Sequence, residues 1–237
     1  MGYVLLIRHG RTTTNANGIL AGWTPDIRLD HEGETAATAL GQALTSTPVT
    51  QIVASPLQRC QQTAKIIATT AWPHLAIDTD EQLGECRYGQ WTGKPINELT
   101  KLPLWQQIQQ QPSAVTFPHS DTFAGEGLAH MSARVIAAVR RIDHTNHTTN
   151  GPESITVVIS HGDPIKAVLA DAAGAHLDTF QRLHVTPAST SLVQYTDSKP
   201  LLHAINIPPS GVAETLRRIH TAATHVPTGD GAIGGGA

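Results

Sequence analysis

Short apolar runs alternate along the chain with longer stretches in which apolar positions recur every three to four residues. Residues 3–7 (YVLLI) read as a first strand. Asp30 can cap a helix that runs through Ala36, Leu40 and Leu44. Gln51–Ala54 is a short second strand, and the Ser55-Pro56 pair after it reads as a cap plus a first-position proline. The helix opened there carries Leu57, Ala64 and Ile67 on one face, and residues 75–77 supply a brief third strand. Leu128, Met131, Val135, Val139 and Ile142 lie on one face of a later helix. Residues 155–159 (ITVVI) form a fully apolar, β-branched run typical of a central strand. Asp163-Pro164 repeats the cap-and-proline signal, and residues 192–195 and Leu201–Ile207 look like late strands.

This alternation predicts an α/β fold: a three-layer sandwich with a mostly parallel central sheet flanked by helices. Residues 1–223 are expected to form a single domain. Within it, residues 90–126 lose any period and read as a Pro-, Gln- and Gly-containing insertion with short helical pieces, placed cap-like over the C-terminal ends of the strands. The Gly-rich end, 224–237, is expected to be disordered.

Composition narrows the classes. With 40% hydrophobic and 15% charged residues, the 237-residue chain is expected to be soluble and globular. A net charge of −3 without a basic block argues against nucleic acid as a partner, and no apolar run reaches membrane-spanning length. Residues 4–7 are too short for a signal-peptide core, and Leu6 stands where a myristoylation signal needs Ser or Thr. Two cysteines without CxxC spacing, Cys60 and Cys86, support neither a disulfide framework nor a zinc site, so a reducing cytoplasmic setting is expected.

The chemistry gathers where strands run out. The first strand ends in RHG, the second in ASPLQR, and the 155–159 strand in SHGDP. Open α/β sheets bind ligands beyond the carboxyl ends of their strands. Parallel neighbours would therefore bring Arg8, His9, Arg59 and His161 into one crevice. Arg59 would lie in the first turn of a helix, where the dipole disfavours a cation unless an anion is near. Two arginines and two histidines together call for a phosphate-like ligand. Glu85, in LGECRYGQWTG, follows a strand and precedes the insertion, so it can sit at the rim.

Taken together, LIRHGRTTTN, SPLQRCQQTA, LGECRYGQWTG and SHGDPIKAVL resemble, in order, the four signatures of the histidine phosphatase superfamily, the phosphoglycerate mutase-like phosphatases and mutases. The resemblance implies that His9 is the nucleophile, with one ring nitrogen free and the other held as a donor by a backbone carbonyl. It implies that Arg8, Arg59 and His161 hold the phosphoryl group, that Asn15 adds a neutral donor, and that Glu85 serves as general acid and then base. Gly10 would allow the backbone its close approach. Glu126 and Arg134 would play supporting parts. No metal and no cofactor are implied, since arginines and histidines supply the positive charge.

Other residues read more plainly. Trp23 and Trp91 suit packing. His144 and His147 close a helix without a third ligand, and no HExxH occurs. A cysteine phosphatase needs Arg six residues after its Cys, where Ile66 and Thr92 stand; GQWTGKP lacks the P-loop spacing. Between Tyr88 and Ala133 the firm cations are Lys94 and Lys101, and Cys86 stands where glycolytic mutases carry Arg. That favours a phosphatase over a phosphomutase, although Arg87-Tyr88-Gly89 is mutase-like. A non-catalytic phosphate-binding module would have no need of Glu85. The expected partner is a small-molecule phosphomonoester, with some hydrophobic surface if the apolar residues of the insertion face it. A homodimer formed by edge pairing of the late strands stays open.

Overall fold

A computed structural model describes residues 2–223. Its one sheet has six strands: β1 Tyr3–Arg8, β2 Gln51–Ala54, β3 Ile77–Thr79, β4 Ile155–Ser160, β5 Thr190–Gln194 and β6 Leu201–Ile207. They lie in the order β3-β2-β4-β1-β5-β6. β1, β4, β2 and β3 run parallel, while β5 and β6 extend the far edge antiparallel. The helices are α1 Thr13–Ala16, α2 His31–Ala43, α3 Gln58–Ala71, α4 Ile96–Leu99, α5 Pro103–Gln110, α6 Leu128–Asn150, α7 Gly162–Ala172 and α8 Pro209–Ala223.

Both faces of the sheet are covered, which is why its central strands are continuous apolar runs. Leu5, Ile7, Ile52, Val157 and Ile159 face one core together with Leu40, Ile67 and Val212 of α2, α3 and α8. Val4, Leu6, Val53 and Val158 face the other, against Met131 and Val135 of α6 and Val168 of α7. Each fully buried Leu or Ile contributes ~2 kcal/mol relative to exposure, so the three-layer sandwich is set chiefly by this two-sided burial.

Two helix starts differ from the sequence expectation. α3 begins at Gln58 with Leu57 at its cap position, not Ser55. The Ser55 hydroxyl reaches only Leu57 N, at 3.3 Å, and its stronger bond goes to His161. α7 begins at Gly162 with His161 at the cap position, so Asp163 lies inside the first turn, where its carboxylate accepts from Tyr88. In both places a tertiary hydrogen bond takes the side chain that local sequence assigned to capping. Asp30 does cap α2, accepting from Gly33 N at 2.8 Å. β3 starts at Ile77 rather than residue 75, because Leu75 N closes a turn onto the Trp72 carbonyl.

The irregular segment 90–126 is also corrected in one respect. Its apolar side chains Trp91, Leu99, Ile108, Val115 and Phe117 are buried in the core shared with α6 and α7, with Trp91 stacked on Trp105. They are committed to packing and do not argue for a hydrophobic substrate surface. Ile96 and Leu102 are the exposed large apolar side chains of the segment. The expected disorder of 224–237 falls outside the described residues. Among the described residues no helix is long and apolar enough to cross a membrane, and no cluster of three or more His, Cys, Asp or Glu could hold a metal ion.

The start of α2 presses directly on the loop after β1. A Cβ at Gly33 would meet Arg11 O at 2.1 Å and Arg11 N at 2.7 Å, and a Cβ at Gly10 would meet Gly33 O at 2.8 Å. These obstacles are backbone and cannot swing aside. Gly33→Ala is therefore expected to destabilise the protein by about 2 kcal/mol or more in urea denaturation, from overpacking at a site with no room to relax. A neutral result would mean that the 8–11 loop is not fixed by this contact.

Candidate active site

Parallel registry places Arg8 opposite Ser160 and Ala54 opposite Ile159, so the segments leaving β1, β4 and β2 emerge side by side. Along this rim lie Arg8, His9, Arg59 and His161, as the sequence anticipates, and Glu85 joins them. His9 and Arg59 are 3% exposed, His161 is fully buried and Glu85 is 9% exposed.

The ring of His9 is oriented from both sides. Nδ1 lies 2.8 Å from the Gly10 carbonyl, which can only accept, so Nδ1 carries the proton and Nε2 keeps its lone pair. Arg59 Nε donates to that lone pair at 3.2 Å. Burial, with Arg59 and Arg8 adding to it, holds His9 well below the usual histidine range and therefore neutral. The loop itself is tied to α3, because Gly10 N donates to Thr63 Oγ1, which donates in turn to Arg59 O.

The second residue of α3, Arg59, points back across the rim and donates through Nη2 to the Gly22 carbonyl at 2.9 Å. Arg8 donates through Nη1 to Val185 O at 2.6 Å. Its Nε is buried without a partner among the described residues.

The His161 ring meets that of His9 edge-on, with centroids 5.2 Å apart. Its Nε2 lies 2.7 Å from Ser55 Oγ. That oxygen already accepts from Leu57 N, so its single proton is best spent on Nε2. Nδ1–H of His161 is then the donor on the Glu85 side, 4.0 Å from Oε2. Burial, Arg59 and His9 hold this histidine neutral as well.

Glu85 has its backbone clamped. The carbonyl accepts from Trp23 Nε1 at 2.6 Å and from Arg134 Nη2 at 3.0 Å. Arg134 also donates to the Gln82 and Gly84 carbonyls and is held by both oxygens of Glu126. The supporting parts expected of Glu126 and Arg134 thus take the form of a brace behind the acid. The Glu85 carboxyl accepts one bond, from Cys86 N at 3.0 Å. Burial and the neighbouring Asp163 push it up to about 7, against the opposing pull of Arg59, that N–H and Arg8. A group so placed can give or take a proton near neutrality.

Asn15 is engaged differently from the others. Its Oδ1 accepts from Thr12 N and Thr12 Oγ1 in a reciprocal cap of α1, and no hydrogen bond joins it to the five residues at the rim. Ser55, Tyr88 and Asp163 are absent from the sequence-based set. Trp23, read as packing, also supplies a hydrogen bond and carries the Arg87 guanidinium over its ring at 3.9 Å. The one available signal for Asp163 was its place two residues after His161. The two thiols are inert: burial pushes Cys60 up to about 12 and Cys86 well above the usual range, so neither offers a thiolate.

The rim thus combines a neutral imidazole with an available lone pair, one buried and one partly buried guanidinium group and a carboxyl poised to exchange a proton. That set can bind a tetrahedral oxyanion and accept a group from it. Comparison with known proteins points the same way. Residues 4–208 match the histidine phosphatase superfamily (branch 1). The probable phosphoglycerate mutase GpmB of Yersinia enterocolitica is 32% identical over 195 residues, covering 82% of this chain and 86% of that protein. Bacillus stearothermophilus YhfR shares the fold with a TM-score of 0.76 at 22% identity, over 87% of this chain and 98% of its own. Phosphoserine phosphatase from Entamoeba histolytica does so with a TM-score of 0.73 at 23% identity, over 87% and 97%.

The raised carboxyl has a consequence for stability. Folding lifts Glu85 from 4.5 to about 7, so the native state favours the protonated form. That contribution is complete below pH 4.5 and is lost as pH rises through about 7. Glu85→Gln cannot ionise. Urea melts should find it more stable than the parent at pH 8, by on the order of 1–3 kcal/mol, with the gap closing by pH 5. A gap that does not change with pH would contradict the shift.

Proposed function

The chain belongs to the histidine phosphatase superfamily, and from that premise we propose that it is a phosphomonoester phosphatase working through a phosphohistidine on His9. The observation that carries the proposal is the tautomer lock: Nδ1 bound to the Gly10 carbonyl leaves Nε2 as the one nucleophilic atom of the ring. In the resting site Arg59 occupies that lone pair. An entering phosphoryl group takes the Arg59 donor for itself and frees Nε2 in the same event. Arg8 contributes its guanidinium, and His161 its Nδ1–H, to the phosphoryl oxygens.

The histidine nitrogen then attacks phosphorus in line. The bond to the ester oxygen breaks, and Glu85 gives its proton to the departing alkoxide. In the second half, the Glu85 carboxylate takes a proton from water as that water attacks the phosphohistidine, returning His9 and releasing phosphate. Arg8 and Arg59 supply the positive charge that such transfers require, so the reaction needs no metal. The 90–126 insertion meets the 18–22 loop through Leu20 N on Lys94 O and Ile96 N on Gly18 O. These bonds to the loop whose Gly22 carbonyl holds Arg59 support a role for the insertion as a cap at the mouth.

A phosphomutase is the second reading, supported by the relative named as a probable phosphoglycerate mutase and by the Arg87-Tyr88-Gly89 run. A mutase must hold a carboxylate-bearing product while it reorients. Lys94 and Lys101 are exposed, and Arg87 lies over Trp23. With Arg87 engaged, only these two surface lysines of the segment are left for that task, and hydrolysis is favoured.

With 4-nitrophenyl phosphate and an excess of chelator, the enzyme should release phosphate at an undiminished rate. His9→Ala should lower kcat/KM at least about 10³-fold. Full activity in that variant would overturn the mechanism. With 3-phosphoglycerate as substrate, product analysis separates the readings: inorganic phosphate is expected, and formation of the 2-phospho isomer would establish the mutase.

A further inference from the structure

Asp163 is an unexpected neighbour for an anion site. It stands in the first turn of α7, two residues after His161, with its side chain 19% exposed. Its Oδ2 accepts from Tyr88 Oη at 2.9 Å, and its Oδ1 lies 3.7 Å from Lys166 Nζ, which also donates to Gln181. Tyr88 is three residues beyond Glu85 and is buried. The Tyr88–Asp163 bond therefore ties the segment carrying the acid to the helix start carrying His161. Burial and the surrounding carboxylates push the Tyr88 phenol well above its usual value, so it remains a donor at any working pH. Asp163 thus has a permanent donor on Oδ2 and a cation near Oδ1.

A fixed negative charge beside a phosphate site opposes substrate binding, so its retention calls for a compensating use. We propose that Asp163, fixed by Tyr88, is a positioning residue that keeps the proton on Glu85 until the leaving group takes it. The charges around Glu85 define the balance. Arg8 from β1, Arg59 from α3 and Arg134 from α6 favour its ionised form. Asp163 from α7 and Glu126 behind the acid favour the protonated one. His161, Cys60, Cys86 and Tyr88 face it in neutral form. Without Asp163 burial alone opposes the cations, and a larger share of the acid would reach the Michaelis complex already deprotonated. Lys166, paired with Asp163, damps the same charge.

This inference rests on Glu85 being the proton donor, and the test separates the two. The pH dependence of kcat/KM is measured with a simple alkyl phosphate, whose leaving group must be protonated, and with 4-nitrophenyl phosphate, whose leaving group need not be. Asp163→Asn should move the alkaline limb for the alkyl ester down by about one pH unit. At pH 8 this is a loss of about tenfold, with little change for the aryl ester. Lys166→Met should move the limb upward. A merely structural role predicts equal losses for both esters and no opposition of sign between the variants, and either result overturns the proposal. Should Asp163→Asn fail to fold, Lys166→Met decides alone, because a limb that stays or falls contradicts the account. Glu85→Gln should erase the alkyl ester's alkaline limb. If that limb survives in Glu85→Gln, the reading of the acid itself is wrong. If it vanishes there but stays in place in Asp163→Asn, only the role of Asp163 falls.

Discussion

Two guanidinium groups, that of Arg59 buried and that of Arg8 partly so, share a rim with two neutral histidines, and this crowding of positive charge sets the terms for the rest of the molecule. Removing a cation from water costs several kcal/mol unless hydrogen bonds and counter-charges replace the solvent. The fold supplies them piecemeal: the Gly22 and Val185 carbonyls, the Nε2 lone pair of His9, and carboxylates set back at Glu85 and Asp163. None of these neutralises an arginine directly. The site is thereby left receptive to an anion, and the same field keeps both imidazoles unprotonated.

Holding that arrangement requires a rigid frame, and the frame is largely backbone. The parallel β1–β4–β2 ladder fixes where three segments emerge. Glycines at positions 10 and 33 let the first of them pack against α2, and Thr63 ties it to α3. Behind the acid, the carbonyls of residues 82–85 are each bound, by Arg134 and Trp23 and, at Leu83, by Ser160 Oγ. The brace holds Glu85 through its main chain and leaves its carboxyl with a single bond, to Cys86 N. Its proton affinity is thus set by burial and neighbouring charge rather than by a tight ion pair.

Much of this was legible in the sequence because the informative residues sit at strand ends, where apolar runs stop abruptly. The convergence of Arg8, His9, Arg59 and His161 follows from such endings once the strands are parallel. What escaped were residues whose local signature has two uses. Ser55 and Asp163 precede prolines and so read as caps, yet their oxygens are claimed by His161 and Tyr88, partners distant in sequence. Likewise the apolar residues of 90–126 have no helical or strand period, so nothing in the sequence told whether they face a ligand or the core. The role of Asn15 rests on likeness alone: its carbonyl oxygen is occupied in capping α1, while the donor expected of it is the side-chain Nδ2.

The claim on which all of this turns is that His9 Nε2 carries the phosphoryl group between the two half-reactions. Rapid quench after mixing with a labelled monoester, followed by peptide mapping, tests it most directly. The account predicts label on the peptide containing His9, lost in acid, retained in alkali, and accumulating when Glu85→Gln slows proton transfer. Label that survives acid, or that lies on a Ser or Thr, would contradict it.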